Sequence, residues 1–281
     1  MESSGRTDPP GWVVRLARIL HEPRAGLRGQ GRPDPVALSG RAPAVLALHG
    51  FGGTPREVDL VVEVAREQRL AVHAPLLAGH GATVAELAVT RYSDWYQSAA
   101  AALATLAENA DRVVVVGLSM GSLLASRLAA QHPDQICGLV LLANAFWLPC
   151  VQAALLRAWD LARAPDIYLP KGQSNISDPL ARSTHLSSAA QPIHAAIDLW
   201  RAGRSHRSLL AGITVPVLVA HGGRDRVCPP ANALRVLRLL RSASPQMLLL
   251  PRSGHILTRD LEHQRLRTEL RRFLVALSAT E

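Results

Sequence analysis

With 281 residues, 48% of them hydrophobic, and no apolar run near the ~18 residues of a membrane span, the sequence is that of a soluble chain able to bury one large core. The net charge of +9 rests almost wholly on arginine, Lys171 being the sole lysine; without the interleaved bases and aromatics of a single-strand binder, it argues against nucleic acid and leaves only weak attraction to an anionic surface. Cys137, Cys150 and Cys228 are odd in number and lack C-x-x-C spacing, which speaks against a disulfide framework or a zinc site.

The start, MESSGRTDPPG, has no basic n-region leading into an apolar segment, so the expected location is cytoplasmic. Residues 1–43 are rich in Pro, Gly and Arg and are expected to form a dispensable N-terminal arm, in which Trp12 to Leu20 has the spacing of an amphipathic helix. From there short apolar runs alternate with helical patterns. Ala44 to Leu48 is expected as strand, Pro55 to Arg69 as helix and Leu70 to His73 as strand. Tyr92 to Asn109 follows as helix, Val113 to Val116 as strand, Ser119 to Gln131 as helix and Cys137 to Leu142 as strand. Between about Phe146 and Gly212 the alternation breaks: helical stretches near Leu148 to Arg163 and Ile193 to Ala202 are joined by a Pro-, Ser- and Asn-rich loop without strand signals. It resumes with Val215 to Ala220 as strand, Pro230 to Arg241 as helix, Gln246 to Leu250 as strand and Asp260 to Leu277 as helix. Such alternation predicts a mainly parallel sheet flanked by helices. The interruption predicts a helical cap, residues 146–212, inserted into a core of residues 44–145 and 213–281.

Gly117-Leu118-Ser119-Met120-Gly121 follows the apolar run Val113 to Val116 and opens a helix, as a serine nucleophile on a strand-to-helix elbow requires. A serine hydroxyl is a poor nucleophile near neutral pH and needs a base, and the base needs an orienting acid. Asp225, in His221-Gly222-Gly223-Arg224-Asp225, and His255, in Ser253-Gly254-His255, each lie just past a later strand. His255 is therefore the expected base and Asp225 the acid. The oxyanion hole is expected from the backbone N–H of Met120, next to the nucleophile, and that of Phe51 in His49-Gly50-Phe51-Gly52-Gly53. His221 reads as structural. His80 and His73 lack a completing ligand, so Gly79-His80-Gly81 reads as a loop at the site entrance rather than a metal site. Cys228 is offered no base and is taken as a neighbour of the acid loop.

The segments LALHGFGGTP (46–55), APLLAGHG (74–81), Thr90 to Trp95, GLSMG, HGGRD and SGHILTRD, in this order, resemble the α/β-hydrolase superfamily over roughly residues 44–277. Within it they resemble the compact bacterial carboxylesterases and monoacylglycerol lipases. The resemblance implies an α/β-hydrolase fold, esterase chemistry on uncharged acyl esters, no cofactor, and a small helical cap forming the acyl pocket. Short-to-medium acyl esters or monoacylglycerols are the expected substrates. Phe146, Trp147, Leu148, Val151, Leu155 and Leu156 open the insertion with apolar surface and are expected to line that pocket, favouring neutral chains over charged ones. One rival is a peptidase of the prolyl aminopeptidase kind. It needs cap carboxylates for a substrate ammonium, and only Asp160, Asp166, Asp178 and Asp198 are available between 146 and 211. The other rival is a hydrolase-like protein that binds without turnover.

Overall fold

A computed structural model describes residues 26–242 and 244–279; the Trp12 to Leu20 stretch lies outside them. Seven strands form the central sheet: Val36–Leu38 (β1), Arg41–Leu48 (β2), Leu70–Ala74 (β3), Val113–Leu118 (β4), Ile136–Leu142 (β5), Val217–Gly222 (β6) and Pro245–Leu250 (β7), in the order β7-β6-β5-β4-β2-β3-β1. Every neighbouring pair is parallel except β1 with β3. The inner strands are buried along nearly their whole length because helices cover both faces. Val114, Val116 and Leu118 of β4 pack with the helices Asp59–Glu67 and His263–Ser278. Val113 and Val115 point the other way, toward Tyr92–Ala107, Met120–Gln131 and Asn232–Leu239. This is the period-two alternation of a strand read against two helical layers.

The insertion carries the helices Cys150–Leu161, Pro179–Thr184 and Ile193–Ser205. The last has two apolar faces. Ala195, Leu199 and Ala202 join the main core, while Ile193, Ile197 and Trp200 enclose Leu156 in a separate small cluster. Asp198 also accepts the Tyr92 N–H at 2.6 Å, which ties this helix to the start of Tyr92–Ala107. The insertion also contains strands, contrary to the sequence expectation: Tyr168–Pro170 pairs with Ala190–Pro192, and Ser187–Ser188 with Leu27–Arg28. Segments of two or three residues are too short for a periodic pattern to register.

Residues 26–43 are likewise more than an appendage. β1 is the edge strand of the central sheet, and Leu27–Arg28 ties the start of the described chain to the cap. Beginning the chain at Arg41 should therefore lower the thermal midpoint by about 5 °C or more, given about 1 kcal/mol for each of the few ladder hydrogen bonds removed. An unchanged midpoint in calorimetry, with full activity, would restore the dispensable arm.

Candidate active site

Four loops at the carboxyl ends of β2, β4, β6 and β7 converge, where ligands bind in open α/β sheets. Ser119 occupies the turn after β4 with φ 54° and ψ −113°, a left-handed conformation that costs a side-chain-bearing residue about 1–3 kcal/mol. Its N–H is held by Leu142 O at 2.9 Å. The flanking glycines are required by close approach: a Cβ on Gly117 would lie 2.1 Å from Gly121 O, and one on Gly121 would lie 2.2 Å from Leu48 O.

Asp225 and His255 meet across the next two loops. His255 Nδ1 donates to Asp225 Oδ2 at 2.8 Å, leaving Nε2 for the nucleophile side, while Asp225 Oδ1 accepts the N–H groups of Val227 and Cys228 at 2.8 and 2.9 Å. His221 contacts the acid as well. Its Nε2 lies 3.1 Å from the same Oδ2 and 3.2 Å from Cys228 O, and its Nδ1 has no partner among the described residues. Both neighbours of Nε2 are acceptor oxygens, so Nε2 is the nitrogen that donates. Burial works to raise the Asp225 carboxyl pKa, but the charge of His255 and the hydrogen bonds from His221 and His255 outweigh it and hold the carboxyl well below its ordinary range. Burial, aided by the Asp225 charge, pushes the Cys228 thiol well up, which keeps it protonated. The other acid nearby, Asp260, spends its oxygens on the N–H groups of Gly254, Ser177, Asp178 and Leu261.

On the oxyanion side, Met120 is the first residue of its helix, so its N–H has no intrahelical acceptor. Phe51 shares a cavity wall with Ser119. The loop is braced from behind. His49 Nδ1 donates to Gly50 O at 2.9 Å and Nε2 accepts the Leu77 N–H at 3.2 Å. The Gly50 N–H donates to Glu57 Oε2 at 2.9 Å. His80 does not stand at an entrance; it is buried, with its ring packed edgewise on His49, Phe51 and Trp95. Burial, then the charge of His49, lowers its pKa to about 3.

Ser119 and His255 open on a cavity of about 420 Å³ roofed by the cap. Leu148, Leu155, Leu156, Ile193, Leu199 and Val227 form its apolar wall. Three of the expected pocket residues are elsewhere. Phe146 is 1% exposed and belongs to the main core. The Trp147 ring is covered by the Arg207 and Arg235 guanidiniums, at 4.7 and 5.6 Å. Val151, one helical turn before Leu155, is 72% exposed to solvent. An apolar run fixes that residues pack, not against what, and here the chain crosses from core to cap within that run.

Comparison with known proteins places the chain in a family. The model of one protein family, described as serine aminopeptidase, S33, matches residues 41–262. The chain belongs to that family, within the α/β-hydrolases. Among relatives of this S33 chain, the thermostable monoacylglycerol lipase of Bacillus sp. (strain H-257) is 30% identical over 218 residues, 78% of this chain and 84% of the relative. The carboxylesterase of Bacillus subtilis (strain 168) is 23% identical over 87% of this chain and 97% of its own length. A solved structure from work on LipS and LipT, two metagenome-derived lipolytic enzymes, superposes with a TM-score of 0.81 at 29% identity, covering 88% of this chain and all of that one.

Several residues of this S33 site carry no sequence signature. Asn175, in the cap loop, accepts the His255 N–H on its carbonyl at 2.8 Å and the Arg226 N–H on Oδ1 at 2.8 Å, bridging the acid and base loops. Glu57 and His185 form a buried pair at 3.1 Å, and His185 Nδ1 meets Ser174 Oγ at 2.6 Å. Burial acts to raise the Glu57 carboxyl pKa, yet the His185 hydrogen bond and the charges of His185, Lys171 and His49 lower it to about 2. Lys171 also lines the cavity; its being the sole lysine was the one available hint.

Proposed function

We propose that this carboxylic ester hydrolase works through an acyl-enzyme on Ser119 and takes short-to-medium acyl esters or monoacylglycerols. The observation carrying the reading is the shared wall: Ser119 and His255 line one cavity, with His255 Nδ1 bonded to a buried carboxylate. His255 Nε2 takes the Ser119 Oγ proton as Oγ attacks the ester carbonyl, and returns it to the leaving alkoxide. The Phe51 and Met120 N–H groups receive the negative charge on the carbonyl oxygen. Water, activated by the same histidine, then releases the acid. Among the described residues no helix is long and apolar enough to cross a membrane.

Peptidase activity is disfavoured by the cap carboxylates. Asp160 pairs with Arg201, Asp166 accepts the His194 N–H, Asp178 caps its own helix and Asp198 holds Tyr92. Glu57 does line the cavity, but Lys171 beside it opposes a substrate ammonium. Fluorophosphonate labelling of Ser119, with a panel of p-nitrophenyl esters, monoacylglycerols and aminoacyl anilides, tests the assignment; anilides turned over in preference to esters would reverse it. On the apolar wall, each added methylene should raise kcat/KM through up to ~0.8 kcal/mol of binding until the cavity fills, and Leu156→Ala should move the cutoff to longer chains. A length profile that is flat and indifferent to Leu156→Ala and Leu155→Ala would take acyl recognition away from this wall.

A further inference from the structure

The cavity's second wall is polar, and its charges do not balance by contact. Its charged side chains are Glu57, Lys171 and Arg226, one carboxylate against two cations. Both Glu57 oxygens are committed, Oε1 to His185 at 3.1 Å and Oε2 to the Gly50 N–H at 2.9 Å. Lys171 Nζ makes no hydrogen bond and no ion pair within contact distance among the described residues. Its position is nonetheless fixed. The Lys171 N–H donates to Ala189 O at 2.9 Å and its carbonyl accepts from Arg28 at 3.1 Å. Nζ comes within 3.9 Å of where a Cβ on Gly52 would sit, so the ammonium stands beside the oxyanion loop. Burial lowers its pKa and the Glu57 charge only partly offsets this. The side chain is half-buried and lines the cavity with no counter-ion in contact among the described residues, so an anionic group entering the cavity can take that place.

We propose that Lys171 is an anion-binding, specificity-determining residue, and that the enzyme prefers esters that also carry a carboxylate. The inference rests on the ester-hydrolase reading of the same cavity and revises the expectation of a pocket for neutral chains alone. A carboxylate held by the Lys171 ammonium would share the cavity with an ester at Ser119, and the apolar wall would take the connecting methylenes. Either half of the ester can bring the charge, as a monoester of a dicarboxylic acid or as an ester of a hydroxy acid.

The test uses the full chain and acid release from two matched pairs: monomethyl adipate against methyl hexanoate, and 4-(butyryloxy)butanoate against butyl butyrate. In the unaltered enzyme kcat/KM for the charged member should exceed that of its neutral match about tenfold in at least one pair, the size of one charge-assisted hydrogen bond. The pair that responds tells which half bears the charge. Lys171→Met should remove the preference, and Lys171→Arg should retain part of it. Ratios at or below one in both pairs overturn the proposal without any variant, as does a preference untouched by Lys171→Met. Hydrolysis of neutral esters with Ser119 labelled by a fluorophosphonate, but no charge preference, sinks only the anion subsite. Refusal of all four esters with Ser119 unlabelled sinks the ester reading and the subsite together.

Discussion

Asp225→Asn should leave a folded protein whose kcat is lower by about 10⁴-fold, because an amide at this position presents the wrong histidine tautomer. The geometry dictates which way the amide points. Oδ1 accepts the Val227 and Cys228 N–H groups at 2.8 and 2.9 Å, so the asparagine oxygen must stay there. Its NH2 then replaces Oδ2 and faces His255 Nδ1. A donor facing Nδ1 forces the proton onto Nε2, and an imidazole protonated at Nε2 is unable to take the Ser119 proton. The same NH2 meets His221 Nε2, now also a donor, which rotates or retautomerises against it; the unpartnered Nδ1 of His221 gives that ring an alternative proton site. Steady-state kinetics on one ester, with circular dichroism as the check on folding, measures the loss. Activity retained in Asp225→Asn but abolished in Asp260→Asn would move the acid to Asp260, against the four backbone N–H groups that occupy its oxygens.

The parts of this site that could be read from the sequence are those whose chemistry needs a fixed residue at a fixed distance from a strand end. Gly117 and Gly121 are demanded by contacts of 2.1 and 2.2 Å, and such contacts write themselves into the sequence as a pentapeptide. The sheet was legible for the same kind of reason: β4 is VVVVGL, buried on both faces, and long apolar strands announce themselves. Asn175 and His185 were not legible. Each acts through partners more than 50 positions away, Arg226 for Asn175 and Glu57 for His185, and no spacing rule links a cap loop to the core loops it closes. Nothing in the sequence around Glu57 marks it, although burial and the Gly50 N–H make it a brace for the loop that follows β2. The strands of two and three residues at 27–28, 36–38 and 168–170 fall below the length at which alternation differs from chance. Phe146, Trp147 and Val151 mark a different limit. Hydrophobicity made them pocket candidates, but only the path of the chain distinguishes core, arginine-covered surface and solvent from the cavity wall.

Ser119→Ala should lower kcat by at least about 10³-fold, and His255→Ala should do the same, because the proposed triad would act as a unit. Combining the two should therefore cost scarcely more than either alone. On the proposed mechanism, the activity that survives would come from the Phe51 and Met120 N–H groups and the binding cavity, which would still stabilise a tetrahedral oxyanion when water attacks without help. Stability should behave differently from activity. Ser119 is held by its backbone, through Leu142 O at 2.9 Å and the Ser122 N–H on its own carbonyl at 3.0 Å, and alanine keeps both while retaining the strained φ of 54°. The thermal midpoint of Ser119→Ala should thus match the unaltered protein, separating loss of chemistry from loss of fold. Fluorophosphonate labelling should vanish in this variant, whereas Cys228, with its thiol held protonated by burial and the Asp225 charge, offers no substitute nucleophile. Folded Ser119→Ala that turns over esters at a near-normal rate would end the acyl-enzyme mechanism and leave the cavity as a binding site with some other catalytic group.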